Sequence, residues 1–405
     1  MRDSAWKWQL VQDIRQIDAA TWDDVMQPDT PFNRHSFLCA LEQSGCVSAD
    51  SGWLPMHLVL YQQDELVAVL PLYRKLHSYG EYVFDWAWAD AYERYQLAYY
   101  PKLVTAMPFT PASGVRLGIK QGVDRQTVFS LIIQVLQSEL AEHSSWHGLF
   151  MTEAESLEWQ QASQQPATMR ASTDVPAHQA RLLPRQGCQY HWHNRQYQSF
   201  DDFLEQLTSS KRKNIRKERR QVAEWDYRWR SGTEISAAVW QRFFLCYRMT
   251  YLKRSGHGGY LNQAFFQSLS ELMADSVKLL LVCAHGDDDA QAVACALYFH
   301  APDSDTLYGR YWGCLEEYDG LHFETCYYRG IDYCITHQLA CFNAGAQGEH
   351  KVLRGFEPVT TYSWHLIAEP AFEQAISEFC QAEIKQNQTY MLQLVDALPY
   401  KQTAS

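Results

Sequence analysis

The sequence predicts a mixed α/β (α+β) protein with two tandem domains, and three observations support that class. Its 405 residues exceed the size at which one hydrophobic core usually stops growing. Strand-like apolar runs and helix-length amphipathic segments alternate in the same order in both halves. The segment 55–75 resembles the segment 278–300, since each contains an apolar strand, an acidic turn and a second strand. Two units are too few for a solenoid, so this internal similarity suggests two duplicated α/β modules.

The first half begins with a helix and ends with a loop. The predicted elements are a helix at 34–44, strands at 56–61, 66–75 and 81–88, a helix at 124–142 and a strand at 147–151. The third strand is the aromatic string EYVFDWAW. The segment 161–180 is rich in Gln, Ala, Ser, Thr and Pro without periodicity, which predicts an exposed loop.

The second half repeats this order. The predicted elements are helices at 200–223, 236–252 and 262–274, strands at 277–284, 291–300 and 305–313, a helix at 321–338, a strand at 340–344 and a final helix from residue 370. We place an N-terminal domain at residues 1–195 and a C-terminal domain, which carries the chemistry, at residues 196–405.

Composition and charge narrow the functional classes. A net charge of -12 disfavours binding of a long nucleic acid, whose phosphates require a broad basic surface. The sequence lacks an apolar run of about 18 residues that could span a bilayer. The N-terminal string MRDSAWKWQLVQDIRQ also lacks the apolar segment of a signal peptide, so we expect a cytoplasmic protein. The eleven cysteines lie mostly in apolar runs without a CxxC pair, which predicts reduced, buried thiols.

Glu324 is the first candidate catalytic residue. At 100° per residue it lies in the middle of the apolar stripe of the helix 321–338, between Ile331 and Ile335. A buried carboxylate without a partner has a raised pKa and becomes a candidate general base. The alternative is a structural ion pair with a nearby Arg, and the sequence leaves both open.

The turn FNAGAQGEHKVLRGF holds the second group of candidates. It follows a short strand, and open α/β sheets place ligands at the carboxyl ends of strands. Glu349 and His350 are its candidate catalytic residues, His350 as a base. Lys351 or Arg354 can neutralise an oxyanion or a phosphate. A solvated surface loop is the alternative interpretation.

The strand TLYGRYWG places an Arg between two aromatic residues. Alternation along a strand puts Leu307, Gly309 and Tyr311 on one face and Tyr308, Arg310 and Trp312 on the other. An Arg in this setting suggests cation–π stacking or a clamp for a carboxylate. An edge strand with a snorkelling Arg explains the pattern as well.

The run SKRKNIRKERR opens a predicted helix with cations, where the helix macrodipole is already positive. This predicts that an anion offsets the charge. The anion is either an external phosphate or the acidic stretch Asp201, Asp202 and Glu205. The candidate phosphate-binding residues are Lys211, Lys213 and Arg216.

Other motifs argue against common enzyme classes. His191 and His193 in HWHN share a strand face, but no further Cys/His pair lies at ligand spacing, so we predict no metal site. The sequence lacks GxSxG, HExxH and GxGxxG, which disfavours serine hydrolases, zincins and Rossmann dehydrogenases.

Several strings together resemble a known family. The run KRKNIRKERR, the strand LYGRYWG, the helix LHFETCYYRGIDYCI and the turn GEHKVLRGFEP resemble the C-terminal half of FemAB-like proteins, a bacterial family of N-acyltransferases in the GNAT superfamily. The strings SGWLPMHL, SYGEYVFDWAWADAY, YYPKL and PFTP resemble the N-terminal half. The resemblance implies tandem GNAT-like domains as in Fem-type transferases, with the active site in the C-terminal domain.

The resemblance also implies a direct transfer mechanism. A base deprotonates an acceptor amine, and the amine attacks an acyl carbonyl held by backbone amides of a splayed central strand. By position, TLYGRYWG is that strand and Glu324 lies on the helix that follows it. The turn GEHKVLRGF corresponds to a basic motif that contacts the reactive centre in Fem proteins. The implied substrate- or donor-binding residues are Tyr308, Arg310, Tyr311, His322, Lys351 and Arg354.

Three functions stay open from the sequence. The first is an N-acyltransferase with acyl-CoA as co-substrate, no permanently bound cofactor, and a small-molecule or peptide amine as acceptor. The loop GCLEEYDG departs from the GNAT pattern for the coenzyme A pyrophosphate, because Glu316, Glu317 and Asp319 repel an anion. The second is therefore a Fem-like transferase that uses an aminoacyl-tRNA and acts on a peptide or a peptidoglycan precursor. The third is a non-catalytic binder on a degenerate acyltransferase fold.

Overall fold

A computed structural model of the chain describes residues 6–164, 180–345 and 348–401. The predicted loop at 161–180 therefore falls mostly outside the described residues. The strands are β1 (Trp6–Val11), β2 (Trp53–Pro55), β3 (His57–Gln62), β4 (Glu65–Leu70), β5 (Tyr73–Lys75), β6 (Lys102–Thr105), β7 (Gly118–Ile119), β8 (Ser145–Met151), β9 (Leu183–His193), β10 (Asp226–Ser231), β11 (Val277–Cys283), β12 (Ala294–Phe299), β13 (Thr306–Cys314), β14 (Cys341–Asn343) and β15 (Glu357–Ile367).

The helices lie between these strands. They are α1 (Ala19–Met26), α2 (His35–Gln43), α3 (Trp86–Arg94), α4 (Arg125–Glu139), α5 (Glu153–Ser163), α6 (Phe200–Glu205), α7 (Ser209–Gln221), α8 (Ala237–Ser255), α9 (Gln263–Leu272), α10 (Leu321–Phe323), α11 (Arg329–Thr336) and α12 (Pro370–Asp396). A π turn, Glu324–Tyr328, joins α10 to α11. Among the described residues, no helix is both long enough and apolar enough to cross a membrane.

Two compact units make up the chain. The described residues within 1–187 and 360–389 form the first unit, and those within 188–359 and 390–405 form the second. These units differ from the predicted halves chiefly in residues 360–389, which the sequence places in the C-terminal domain. That the two halves are superposable GNAT-like modules stays a prediction.

The first unit contains two groups of paired strands. β1, β3, β4 and β7 form an antiparallel sheet. β2, β5 and β6 pair antiparallel, β6 runs parallel to β8, and β8 pairs antiparallel with β15. Helix α4 supplies Val128, Ile132 and Leu136 to a core shared with Leu58 and Trp146. All five side chains are fully buried, so this core holds the helix on the strands.

The predicted strand at 81–88 is wrong. Helix α3 begins at Trp86, and the residues before it form an irregular segment. Trp88 and Tyr92, one turn apart, are buried on one side of α3, which is a helical rather than a strand spacing. Lys102 binds the buried carboxylates of Glu81 and Asp85, so side-chain contacts distant in sequence fix this segment. Aromatic composition alone does not show such contacts.

The second unit is built on one mixed sheet. Its strand order is β10-β11-β12-β13-β14-β9, with the β13–β14 pair parallel and the other pairs antiparallel. Helix α11 buries Ile331 and Cys334 on one face of the sheet, against Leu307 and Phe342. Helix α8 packs against β13 so closely that a Cβ on Gly313 would lie 2.2 Å from the Cys246 carbonyl carbon.

The predicted helix at 200–223 is two helices. The chain breaks between α6 and α7 because Leu207 forms a β-bridge with Tyr400 and the Thr208 amide donates to the Pro399 carbonyl at 2.8 Å. The hairpin β11–β12, helices α8 and α9 and strand β13 lie close to their predicted bounds. All eleven cysteines are free thiols, and eight of them are buried.

Candidate active site

Strand β13 continues past the end of its neighbour β14. The two parallel strands pair over three residues, up to Tyr308 opposite Asn343, and β13 then runs on to Cys314. On its other side the register against β12 shifts, because Leu297 lies opposite Tyr311 and Tyr298 lies opposite Gly309. Arg310 is therefore an extra, bulged residue at the point where the strands part, a position at which bulges often redirect side chains toward a site.

The bulge changes which residues share a face of β13. Leu307 packs in the same core as Ile331, whereas Tyr311 packs against Tyr247 and Phe266, with ring centroids at 5.9 and 5.7 Å. The prediction that Leu307 and Tyr311 share one face is wrong, because strict alternation fails across an inserted residue. Tyr311 thus lies in the core on the side of α8 and α9.

Asn343 connects the ends of the two strands. Its Oδ1 atom accepts a hydrogen bond from Arg310 Nη1 at 3.2 Å and another from the Gly345 amide at 3.0 Å. Arg310 Nη1 also donates to the Gly309 carbonyl at 2.8 Å, and its guanidinium lies 5.1 Å from the Tyr308 ring centroid. The predicted Arg–aromatic contact on this strand is present between Arg310 and Tyr308.

Lys351 is a buried cation beside this junction. It is 1% exposed, and its Nζ atom donates to the carbonyls of Ala344 and Gly345 at 2.9 and 2.7 Å. Burial lowers the pKa of Lys351 from 10.5 to about 7, and Arg310 adds to the shift by charge repulsion. Among the described residues, no carboxylate forms an ion pair with this lysine. It can therefore serve as a positive charge or as a neutral amine near pH 7.

His350 lies one residue before Lys351 and is exposed. Its Nε2 atom lies 2.8 Å from the Tyr327 hydroxyl, in a hydrogen bond whose direction depends on the tautomer. Partial burial and the nearby cations Arg354, Lys351 and Arg254 lower its pKa. The imidazole is thus neutral at pH 7 and able to accept a proton. Residues 346 and 347 of this turn lie outside the described residues.

A pocket of about 420 Å³ opens between the end of β13 and the start of α10. Its walls are aromatic and charged, which suits a ligand with both apolar and polar parts. It is lined by Thr250, Lys253, Arg254, Trp312, Cys314, Glu316, Glu317, Tyr318, Asp319, Gly320, Leu321, His322, Phe323 and His350. The lining thus joins two predicted residues, His322 and His350, to cations of α8 that the sequence interpretation missed.

His322 lies inside this pocket, between aromatic rings. Its ring centroid is 5.5 Å from that of Trp312 and 5.3 Å from that of Tyr327. Burial lowers its pKa to about 3, with Arg254 and His350 acting in the same direction. His322 is therefore an uncharged polar wall of the pocket at neutral pH.

The entrance to α10 has charges of both signs. Glu316, Glu317 and Asp319 are exposed on the loop, whereas Lys253 and Arg254 approach from the last turn of α8. The backbone amide of Leu321, at the start of α10, already donates to the Tyr318 carbonyl at 3.1 Å. Any anion at this place would therefore depend on the two side-chain cations.

Glu324 is held in a buried ion-pair network. Arg219 donates from Nε to Oε2 and from Nη2 to Oε1, both at 3.1 Å, and Arg329 Nε lies 2.8 Å from Oε1. Arg219 Nη2 also donates to Asp332 at 2.7 Å. Burial raises the Glu324 pKa, against the two arginines, which lower it. Glu324 is not among the described residues that line the pocket. Its contacts with Arg219 and Arg329 therefore favour the alternative of a structural ion pair.

Arg354 is also fully engaged within the protein. It donates to the Tyr328 hydroxyl at 2.9 Å, to the His350 carbonyl at 2.9 Å and to both carboxylate oxygens of Glu218 at 2.9 and 3.0 Å. Its guanidinium lies 3.5 Å from the Phe323 ring centroid. Glu218 comes from α7, so Arg354 fastens α7 to the π turn and to the GEHK turn. Lys351, rather than Arg354, is the less neutralised cation of this turn.

The remaining predicted residues lie farther from the pocket or toward solvent. Arg216 pairs with Asp201 at 2.9 Å, and Lys213 is exposed on the same helix as the half-buried Lys211. Glu349 is exposed and accepts a hydrogen bond from Tyr390 at 2.6 Å. Acidic neighbours therefore offset only part of the charge of α7.

The two histidines of β9 lie near each other on the strand. The ring centroids of His191 and His193 lie 6.4 Å apart, and burial lowers the His191 pKa to about 3. No group of three or more potential metal ligands comes together in the part of the chain that the structure describes.

The fold is similar to several solved structures. The C-terminal domain of a candidate lysylphosphatidylglycerol synthetase from Agrobacterium fabrum has a TM-score of 0.50 and 8% identity, over 91% of this chain and 97% of that chain. FemX has a TM-score of 0.49 and 10% identity, over 89% of this chain and 98% of that chain. A tandem GNAT protein from the clavulanic acid biosynthesis pathway has a TM-score of 0.43 and 9% identity, over 90% of this chain and 99% of that chain. At 8% identity, the similarity to the Agrobacterium fabrum domain shows a similar fold and nothing more. No curated protein matches the chain.

The sequence itself matches one family. The predicted mixed α/β class is confirmed by the structure. The FemAB-like family model, described as peptidoglycan biosynthesis/recognition, matches residues 13–402, which is nearly the whole chain. The resemblance to this family, drawn on strings of both halves, is thereby confirmed, and the chain belongs to the FemAB-like family.

Proposed function

We propose that this protein is an N-acyltransferase that moves an acyl group from an activated donor to an amine, with the reaction centre where β13 and β14 part. Family membership and fold support a transferase of the GNAT-like class. One observation carries the proposal. The bulged Arg310 and the buried Lys351 lie at the end of a strand that outruns its parallel neighbour, beside a pocket with two neutral histidines.

Charge stabilisation is assigned to Lys351 and Arg310. Attack of an amine on an acyl carbonyl places negative charge on the carbonyl oxygen, and donors already in position lower the barrier. Lys351 suits this role because it is buried beside two carbonyls and has no carboxylate partner among the described residues. Arg310 is fixed by Asn343 close to the same place.

Proton transfer is assigned to His350. An ammonium group must lose a proton before it attacks, and a base with an accessible lone pair near neutral pH suits that step. His350 lines the pocket and is neutral at pH 7 because partial burial, together with nearby cations, lowers its pKa. Glu324 is a weaker candidate, because its carboxylate is occupied by Arg219 and Arg329.

Acyl-CoA is the proposed donor, and the pocket at the start of α10 is the proposed position of its phosphates. Lys253 and Arg254 supply two positive charges there. The three exposed acids of the loop oppose them, so we expect only modest affinity for a pyrophosphate.

An aminoacyl-tRNA is the second candidate donor. It is favoured by the cations of α7, where Lys213 and Lys217 are exposed. The acceptor is then a peptide or a peptidoglycan precursor, in line with the family description. Because phosphate contacts are screened by salt, this donor predicts transfer that falls steeply with ionic strength.

Both donors are tested in one transfer assay. The protein is incubated with a panel of peptide and amino-sugar amines, with acyl-CoA in one arm and aminoacyl-tRNA in the other, and mass spectrometry detects the modified amine. Lys351→Met should reduce the rate by on the order of a hundredfold or more, as loss of an oxyanion donor does. Arg94→Gln, an exposed helical cation of the first unit, is the matched control.

The donor arms are separated by a second pair of variants. Loss of transfer in the Lys253→Gln/Arg254→Gln variant, with acyl-CoA alone active, supports the thioester. Activity only with aminoacyl-tRNA, lost on changing Lys211 and Lys213 to Gln, supports the Fem-like reaction. Absence of product in both arms across the panel contradicts the enzyme and leaves a binding protein.

A further inference from the structure

We propose a second ligand site in the second unit, on the outer face of α8, that takes a compact oxyanion carried on an apolar stem. The site is a pocket of about 390 Å³. Its volume is in the range of small-molecule sites. It is lined by Ala238, Gln241, Arg242, Phe244, Leu245, Arg248, Gln263 and Ala290. None of these residues belongs to the proposed acyl-transfer site.

The pocket is separate from the one at α10, although both use α8. The residues of α8 that line the first pocket are Thr250, Lys253 and Arg254. At 100° per residue, their mean direction lies about 150° around the helix from that of the residues lining the new site. The two pockets therefore open on nearly opposite sides of the same helix. A ligand in one does not extend into the other along this helix face.

Arg242 and Arg248 give the pocket its charge. Among the described residues, neither arginine forms an ion pair, and the Arg242 Nε atom is buried without a hydrogen-bond partner. A buried guanidinium nitrogen left unpaired costs free energy, which a bound oxyanion would recover. The Arg248 guanidinium lies 5.8 Å from the Phe244 ring centroid, which limits its freedom.

The two acids that precede Ala290 in the sequence are already engaged. Ala290 lies in a short 3-10 helix, Asp289–Gln291, that begins after Asp288. Asp289 pairs with Arg228 at 3.1 Å and with Arg230 at 2.6 Å. Asp288 caps the same turn by accepting from the Ala290 amide at 2.9 Å. Helix α8 itself contains four cations and no acid, in a protein of net charge -12.

The other walls define the rest of the ligand. Gln241 and Gln263 offer amide donors beside the arginines, and a guanidinium fork matches a carboxylate or a phosphate in two parallel hydrogen bonds. Phe244 and Leu245, the latter 44% exposed, supply an apolar wall. Exposure of a leucine beside two unpaired arginines is explained if an amphiphilic anion covers both. Carboxylate and phosphate head groups share this chemistry.

Calorimetric titration of the full chain tests the site. The probes are octanoate, octyl phosphate, inorganic phosphate and neutral octanol. We expect saturable binding of octanoate or octyl phosphate, tighter than that of inorganic phosphate or octanol, and the better of the two identifies the head group. The Arg242→Gln/Arg248→Gln variant should weaken binding at least about tenfold, because charge-assisted hydrogen bonds are lost. Arg94→Gln should leave the affinity unchanged.

A second variant protects the test against misfolding. Leu245→Asn keeps both arginines and should reduce the preference for octyl phosphate over inorganic phosphate, while thermal denaturation confirms that it folds. The proposal is overturned if no anion binds at millimolar concentration, or if octanol binds as tightly as octanoate. It is also overturned in favour of a nucleic-acid surface if a short RNA binds and loses affinity equally in the double variant and in Lys253→Gln/Arg254→Gln. These measurements need no turnover and stand apart from the proposed acyl transfer.

Discussion

Arg219 holds Glu324 through two hydrogen bonds of 3.1 Å, and this contact joins the basic helix α7 to the π turn that precedes α11. Glu324 is 2% exposed, and a second arginine, Arg329, lies 2.8 Å from the same carboxylate. Glu324, which the sequence offers as a candidate base, thus connects the π turn to α7 through Arg219 and to α11 through Arg329. The neighbouring residue of α7, Glu218, forms a second attachment by accepting hydrogen bonds from Arg354.

Glu324→Gln should destabilise the protein more than it slows transfer. The substitution leaves Arg219 and Arg329 without their shared charge, and breaking a buried pair in this way costs about 3 to 5 kcal/mol. Denaturant unfolding measures the loss, and the transfer rate is expressed per folded molecule. The matched double variant Glu324→Gln/Arg219→Gln should recover part of the lost stability. A stable Glu324→Gln variant with a rate reduced a hundredfold would instead return Glu324 to the role of base.

Lys351 should make stability rise with pH. The unfolded lysine takes up its proton near pH 10.5, whereas the folded one does so near pH 7 because of burial. Between these values the unfolded state binds more protons, so the free energy of unfolding increases as the pH rises from 7 to 10 and decreases on the way down. Thermal denaturation at several pH values shows the slope, and Lys351→Met should remove this component. An unchanged slope in that variant would place the Lys351 pKa near its ordinary value.

The buried charges of the first unit should behave as one network. Lys102 binds Glu81 at 2.8 Å and also contacts Asp85, while Lys75 Nζ lies 3.9 Å from Glu81. Glu81→Gln leaves two buried lysines with one carboxylate and should cost about 3 to 5 kcal/mol. The double variant Lys75→Met/Glu81→Leu removes one charge of each sign and keeps the Lys102–Asp85 pair. It should be clearly more stable than Glu81→Gln, as urea unfolding would show. Equal losses in the two variants would mean that Lys75 is not coupled to Glu81.

The balance of buried charges differs between the two units. The cluster around Lys102 contains as many acids as lysines, so it is neutral without a ligand. Lys351 has no such acid among the described residues, and its neighbours Arg310 and Arg354 are cations. The buried charge of the Lys102 cluster is therefore balanced within the protein, whereas no described acid balances that of Lys351.

Local patterns predicted the second unit well. The hairpin β11–β12 and helix α8 follow from alternation, from the acidic turn and from helical spacing, which act over a few residues. The stripe on α11 correctly indicated that Glu324 is buried. Its partner Arg219 lies 105 residues earlier in the chain, and no local pattern specifies so distant a contact. The π turn and the bulge at Arg310 were missed for a related reason, since each inserts one residue into an otherwise regular period.

The site itself was predicted only in part. Lys351 of the GEHK turn and Arg310 of the strand TLYGRYWG do lie close enough for their charges to interact, and His350 and His322 do line one pocket. The cations Lys253 and Arg254 were missed, although the absence of any acid from α8 is a signal readable in the sequence. Burial of Lys351 follows from the way the turn folds back onto Ala344 and Gly345, which residue type and spacing do not show.

The last prediction compares two sets of cations on one helix. Changing Lys211, Arg212 and Lys213 to Gln should leave the melting temperature unchanged or slightly raised, because like charges are removed from the positive end of α7. Arg219→Gln, on the same helix, should lower it, because Arg219 pairs with Glu324 and Asp332. Thermal denaturation of both variants at low and high salt separates the two effects, because salt screens the repulsion between the exposed cations but not the buried ion pair. If the triple variant unfolds as readily as Arg219→Gln, the first turn of α7 is bound to the acidic stretch before it, and an external anion is no longer needed there. If it stays folded and loses transfer with aminoacyl-tRNA but not with acyl-CoA, these cations contact the donor phosphates.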